Sequence, residues 1–291
     1  MRYDPQEHAE FDVEFLKTEH VSGITDAEYR AAKALNQSFL KDVNDYSPYD
    51  AEYRQENKEE PTPAMKIGSL MHCLALTPED AGLYVIKPDY DARTNEGKRV
   101  RDEFMAASVG KVVLKDDEYR LAKSMADACA KHLPFFPDNN PNIKFVTEAV
   151  VYSDAIVTGG PFKGQMVRFK GKLDGMCLFD VRAKDGSVRI YDLKSCADIS
   201  DIAGASYKGG WATQAALYSD MAQHCFQRDT VFEYVCVSKA EPFSVRRAMV
   251  SHEMLLKGRK AYKTATSKWL WYLNNGKPKS DEFYGLEVLN A

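Results

Sequence analysis

With 291 residues, 44% of them hydrophobic and 28% charged, the chain is long enough to bury a substantial core as one large domain or two. A formal net charge of -4 excludes a strong global attraction to nucleic acid, so a polyanionic partner must be met by a local basic surface or by metal ions. The six cysteines, Cys73, Cys129, Cys177, Cys196, Cys225 and Cys236, are scattered and form no C-x-x-C pair, which argues against a zinc ribbon or a disulfide framework and predicts reduced, mostly buried thiols.

Met1-Arg2-Tyr3-Asp4-Pro5 opens no signal peptide, and no apolar run approaches a membrane span, so a cytoplasmic protein without membrane attachment is expected. Residues 1–23 are polar and mixed and are expected to form an irregular arm. Helix-start signals follow at Thr25-Asp26-Ala27-Glu28-Tyr29 and at Asn36-Gln37-Ser38, the second helix ending near Ser47-Pro48. Residues 50–63, with Lys58, Glu59, Glu60, Pro61 and Pro63, read as a solvated loop. Residues 64–76 then form an almost wholly apolar helix, a buried one, in which His72 is the exception. A histidine there is either a core residue satisfied by one hydrogen bond or a ligand, and its position alone does not decide.

The tract 84–117 is basic and rich in turns; Arg93, Lys98, Arg99 and Arg101 fit either phosphate contacts or a solvated helix face. Residues 116–132 carry Tyr119, Ala122, Met125, Ala126 and Cys129 at helical spacing, and the breaker-rich stretch 135–141 marks the change from helix to strand. From Val146 the apolar period becomes two. Strands are predicted from residue 146, over 165–179 and over 188–194, joined by turns at Gly159-Gly160-Pro161 and Lys184-Asp185-Gly186, as an antiparallel meander. Residues 195–210 read as a small-residue flexible loop. A helix over 211–226, a strand over 231–238 and a final helix over 251–274 complete the chain. The fold class is therefore α/β (α+β): a mixed central sheet with an antiparallel meander, flanked by helices.

Each strand of the meander carries one acidic residue, Glu148, Asp174 or Asp192. In an extended strand Ile190, Asp192 and Lys194 share one face while Tyr191 and Leu193 take the other. Mg2+ takes oxygen ligands, commonly one or two carboxylates with waters and substrate phosphate, and these three acids fit that need. The Leu193 carbonyl could add a ligand, Lys194 could orient an attacking water, and His72 could approach as a nitrogen ligand. Gln214 and Tyr218, four apart, share a helix face.

The ordered set Ser38-x-Leu40, Ser47-Pro48-x-x-Ala51-x-Tyr53, Gly68-Ser69-Leu70-Met71-His72-Cys73, Pro88-x-Tyr90-x-x-Arg93-Thr94-Asn95-x-Gly97-Lys98, Glu148, Lys172-Leu173-Asp174, Asp192-Leu193-Lys194-Ser195 and Gln214-Ala215-Ala216-Leu217-Tyr218-Ser219 resembles the PD-(D/E)XK nuclease superfamily, and within it the RecE-type (exodeoxyribonuclease VIII) nuclease domain of phages and prophages. The resemblance spans residues 24–270. It implies a restriction-endonuclease-like core within a single domain of residues 24–280, helical over 24–135 and with the catalytic sheet over 145–275, followed by a tail at 281–291. It further implies metal ligation by His72, Asp174 and Asp192, support from Glu148, water activation by Lys194, and contacts of Gln214 and Tyr218 with the DNA strand near the scissile phosphate. Where such relatives often have Arg-Pro before the middle aspartate, this chain has Lys172-Leu173.

The activity implied is Mg2+-dependent digestion of linear double-stranded DNA, with Mn2+ able to substitute, from an end and in the 5′ to 3′ direction. Its product would be a 3′ single strand for a phage single-strand annealing protein. Relatives form rings, so a trimer or tetramer enclosing the duplex is expected, its channel gathering Arg93, Lys98, Arg99, Arg101, Arg168, Lys170, Lys172 and Lys208. A single-strand-specific or CRISPR-adaptation-type nuclease of the same superfamily, and a catalytically silent DNA-binding module, are the competing readings. The former often hold an iron–sulfur cluster through a clustered set of cysteines that this chain lacks.

Overall fold

The computed structural model describes residues 2–133, 143–180 and 185–284. In chain order the elements are β1 (Val13–Val21), α1 (Asp26–Ala31), α2 (Gln37–Asp45), α3 (Pro48–Glu56), α4 (Pro63–Leu76), β2 (Tyr84–Ile86), α5 (Asn95–Ala107), β3 (Val112–Leu114), α6 (Asp116–Ala130), β4 (Ile143–Val157), β5 (Met166–Asp180), β6 (Val188–Cys196), α7 (Ile202–Gly209), α8 (Trp211–Phe226), β7 (Thr230–Ser238), β8 (Val245–Met249), α9 (His252–Asn274) and α10 (Ser280–Tyr284). Six strands make the main sheet in the order β1-β4-β5-β6-β7-β8, and β2 and β3 form a small parallel pair. All neighbours in the main sheet are antiparallel except β6 and β7, which the helices α7 and α8 connect as a crossover.

Strand β6 is covered on both faces. Val188, Ile190 and Cys196 face the layer built by α2, α8 and α9, where Ala215, Leu217, Tyr262 and Ala265 are buried with them. Tyr191 and Leu193 face the opposite layer, with Leu70 and Met71 of α4 and Met125 and Cys129 of α6. The alternation expected across this strand is therefore realised, and it sends Asp192 and Lys194 toward α8. Helix α4 begins on a Thr62 cap with Pro63 in its first turn, and α9 on a Ser251 cap. Gly210, at φ +66°, breaks the helical run between α7 and α8, a backbone setting that glycine adopts without steric cost.

Several boundaries differ from the sequence expectations. Residues 13–21 are no irregular arm: they pair with β4 as an edge strand, with Thr18 bonded to Ser153 at 2.8 Å. Its exposed positions, such as Glu14 and Lys17, belong to an edge that water reaches, which hides the strand in the sequence. The solvated loop at 50–63 is shorter, because α3 runs through Glu56. Much of the basic tract is the regular helix α5, capped by Thr94. The expected loop 195–210 contains α7, whose small residues give little helical pattern. Part of the expected tail forms α10 and buries Phe283. The stretch 135–141 and Lys184 lie outside the described residues.

Candidate active site

Strands β5 and β6 are joined at the rungs Gly175↔Tyr191, Met176↔Ile190 and Cys177↔Arg189. Beyond Gly175, β5 continues with β4 as its partner, and beyond Tyr191, β6 continues with β7. The sheet forks there, and Asp174 and Asp192 stand one residue past the last shared rung. The Leu193 N–H donates to Asp174 Oδ2 at 2.8 Å, so a carboxylate takes the place of a ladder acceptor. His72, from α4, brings Nδ1 to 3.3 Å from the same oxygen. From the other layer, Gln214 Nε2 on α8 donates to Asp192 Oδ1 at 2.6 Å. Asp192 Oδ2 is buried, and Lys194 Nζ lies 2.5 Å from it. Lys194 in turn sits 6.0 Å from the Trp211 ring centroid and 5.8 Å from that of Tyr234, whose hydroxyl donates to the Trp211 carbonyl at 2.7 Å.

These contacts sort the charges. Burial pushes the Asp192 carboxyl up from the ordinary 3.8 to about 6, and the Asp174 charge adds to the rise while Lys194 and His72 oppose it. For Asp174, burial also works upward, but His72, Lys194 and the Leu193 N–H together outweigh it and hold the carboxyl low. Burial alone would lower Lys194; Asp192 and Asp174 overcome this and keep its ammonium protonated. For His72 burial is again the largest influence and a lowering one, but the attraction of Asp174 outweighs it and the imidazole is raised. The result is one ionised carboxylate beside one raised to about 6, with the Lys194 ammonium and the His72 imidazole within reach, the kind of arrangement that marks functional sites.

Glu148 belongs to the same neighbourhood but is differently engaged. Its backbone takes a left-handed φ of +50°, so it interrupts the period of two predicted from Val146. Its carboxylate pairs with Lys172, which also holds Asp26 of α1 at 2.7 Å. Lys172 is thus clamped between two acids instead of standing free for DNA. Gln214 and Tyr218 do share a face, yet both are buried: Gln214 orients Asp192, and the Tyr218 ring lies where a Cβ on Gly171 would approach it to 2.8 Å.

The expected basic lining is dispersed and largely neutralised. Lys170 is buried and donates to the carbonyls of Tyr29 and Ala32 at 2.8 and 2.7 Å, a structural role that removes it from any channel. Arg168 stands 3.6 Å from both Glu19 and Asp154. Arg93 is held by Asp91, Arg99 by Glu96 and Glu103, and Arg101 by Asp102; Lys98 is exposed on α5. Lys208 is exposed on α7. Sequence reasoning did not reach Trp211 and Tyr234, which flank Lys194, nor Asp26; an aromatic opening a helix just after Gly209-Gly210 was the available signal for Trp211.

A divalent ion fits the fork. Among the described residues no three His, Cys, Asp or Glu side chains gather closely enough to cage a metal. A divalent ion that keeps several waters needs only one or two carboxylates plus substrate phosphate. Asp174 and Asp192 would supply those carboxylates, and the buried Asp192 Oδ2, paired with Lys194, is the natural inner ligand. Among the described residues no cysteine is in a disulfide, and five of the six are buried.

A mixed sheet flanked by helices, forked at Asp174 and Asp192 with Lys194 two residues on, has the architecture of the PD-(D/E)XK nuclease superfamily. The sequence profile of the PDDEXK-like domain of unknown function (DUF3799) matches residues 36–282, and the chain belongs to that family. No curated protein matches it in sequence. Among solved structures, a candidate exonuclease from Eubacterium rectale is 14% identical with a TM-score of 0.56, over 89% of this chain and 89% of that one. Rai1 of Scheffersomyces stipitis, solved with (3′-NADP)+ and calcium ion, is 12% identical over 88% of this chain and 70% of that one; its TM-score of 0.33 is too low to bear on the site. Among the described residues, no helix is long and apolar enough to cross a membrane.

Proposed function

We propose that this nuclease is a divalent-metal-dependent exodeoxyribonuclease that digests linear double-stranded DNA from an end, 5′ to 3′, leaving 3′ single-stranded tails for strand annealing. The observation that carries this reading is the fork, where Asp174 and Asp192 meet His72, Lys194 and Gln214. When bound there, Mg2+ or Mn2+ would neutralise charge on the scissile phosphate and acidify an attacking water. Gln214 fixes the Asp192 carboxylate, and the Leu193 N–H and His72 fix that of Asp174, so neither acid must reorganise on binding. The Lys194 ammonium, beside Asp192 and the Trp211 and Tyr234 rings, is placed to orient water and to offset charge developing on the phosphoryl oxygens. Glu148, whose carboxylate pairs with Lys172, would support the metal, and the Leu193 carbonyl could add a ligand.

We carry forward a ring of three or four copies, a phage single-strand annealing protein as partner, and a cytoplasmic setting. The exonuclease name of the Eubacterium rectale protein agrees with an end-dependent activity. The test is digestion of linear duplex labelled at the 5′ or the 3′ end, alongside closed circles. Early release of 5′ label and intact circles are expected; equal cutting of circles, or early loss of 3′ label, overturns the reading.

The Asp192 pKa gives a pH dependence. Protons and the metal compete for one carboxylate, so affinity is highest above about pH 6 and weakens as pH falls through that value, by about tenfold per unit well below it. Calorimetric titration with Mn2+ at several pH values checks this, and an affinity independent of pH would remove Asp192 from the ligand set. In the metal-free chain the same shift acts oppositely on folding. The native state holds the proton up to about pH 6 and the unfolded chain only to 3.8, so this group lowers stability as pH rises through that window.

A further inference from the structure

Tyr207 is 90% exposed, although its neighbours on α7 are well anchored: Ile202 and Ala205 pack against the core. An aromatic ring left in water on a short, anchored helix adds nothing to folding. Along the chain it lies four residues before Trp211. Gly209 lies so close to the Trp211 indole that a Cβ there would collide with Nε1, and the Trp211 ring is one of the two beside Lys194. Along the backbone, the Gly210 N–H donates to the Tyr207 carbonyl and the Gln214 N–H to the Gly210 carbonyl, so one turn of α7 and one of α8 separate Tyr207 from the residue that orients Asp192.

Lys208, beside Tyr207, is also exposed, and among the described residues no carboxylate lies in ion-pair range of it, in contrast to Arg93, Arg99 and Arg101. An unpartnered cation next to an unpartnered ring matches what single-stranded nucleic acid offers: a base with a π face, and a phosphate one linkage away. A protein partner would use a wider apolar patch, whereas Tyr207 is followed in the chain by the cation and two glycines.

We propose that Tyr207 is the stacking platform for a nucleobase of the DNA strand seated at the fork, with Lys208 contacting the adjoining phosphate. This rests on the nuclease reading and adds a residue that positions the strand outside the metal-binding group.

The test measures binding of the full-length protein to fluorescently labelled duplexes with a short single-stranded end, with Ca2+ replacing Mg2+. One duplex is intact, and each of the others is abasic at one position. Tyr207→Ala is expected to raise Kd by about 5- to 150-fold, the range that loss of one stacked base produces, while Tyr207→Phe binds as wild type. An abasic site at one particular position should weaken the wild type by a similar factor and leave Tyr207→Ala no weaker than before, because ring and base form one contact. Wild-type affinity in Tyr207→Ala, equal losses in the Ala and Phe variants, or an abasic penalty identical in wild type and Tyr207→Ala at every position overturns the proposal. A wild-type protein that neither binds the intact duplex nor cuts it in Mg2+ or Mn2+ overturns the nuclease reading itself. Cutting by wild type with unchanged binding by Tyr207→Ala overturns the stacking role alone.

Discussion

Asp192→Asn is expected to lower the rate of linear duplex digestion by about 10³-fold while the protein stays folded, because the substitution keeps the side chain's size and an oxygen for Gln214 but removes the buried charge. Lys194→Met should come close to it, at about 10² to 10³-fold, since the hydrocarbon stem can still lie against Trp211 and Tyr234. The two variants separate in a second measurement. Asp192→Asn leaves one fewer ionised ligand, so the thermal stabilisation that excess Mn2+ confers on wild type, about 2.7 kcal/mol at a hundredfold over Kd, should be largely lost. In Lys194→Met it should persist, because both carboxylates remain. Single-turnover digestion and melting curves with and without Mn2+ provide the check; wild-type rates in either variant would remove that residue from the chemistry.

The second large effect is on folding. Gly258 lies in α9, where a glycine costs about 1 kcal/mol relative to alanine in an isolated helix. Its reason is the crossing with α8: a Cβ at 258 would collide with the Ala212 carbonyl oxygen and stand 2.7 Å from the Ala216 Cβ. Backbone cannot yield as a flexible side chain can, so the clash outweighs the gain in propensity. Overpacking of this kind costs about 1–3 kcal/mol or more, and Gly258→Val, with two further methyl groups, is expected to destabilise by about 4 kcal/mol. A fall in Tm of roughly 8–16 °C should follow for a chain of this size. Because Ala212 and Ala216 bracket Gln214, pushing the helices apart should also lift the amide off Asp192 and reduce activity in the molecules that remain folded. A melting temperature equal to wild type would show that the helices do not meet so closely.

How much of this could be read from residue order varies with the physical cause. The alternation of β6 was legible because both of its faces are covered, so each residue type reports its layer. Helices α8 and α9 were legible because each runs long enough for its spacing to repeat. The edge strands were not: β1 and β8 carry Glu14, Lys17, Arg246 and Arg247, side chains that water tolerates and that break the apolar signal. At the site, the identities of Asp174, Asp192, Lys194 and His72 could be read, and the fold brings all four together. Their supports could not. Nothing in residue order says that Glu148 inverts its backbone, that Lys172 is clamped by Asp26, or that Lys170 turns inward to the carbonyls of Tyr29 and Ala32 instead of outward to phosphate. Those outcomes depend on long-range partners, and a basic residue looks alike in sequence whether it meets DNA or a carbonyl.

The edge strand at the N-terminus bears on where this kind of nuclease can be cut from its surroundings. The family profile starts at residue 36, yet Val13–Val21 cover the outer edge of β4, and Asp26 reaches the lysine that restrains Glu148. A fragment trimmed to the profile would open the β4 edge from Val150 to Val157 to self-association and would free Lys172 from one of its two acids. The segment that the family profile recognises and the segment that packs around the sheet are thus different lengths of chain, and the difference is a strip of polar sequence that the profile passes over.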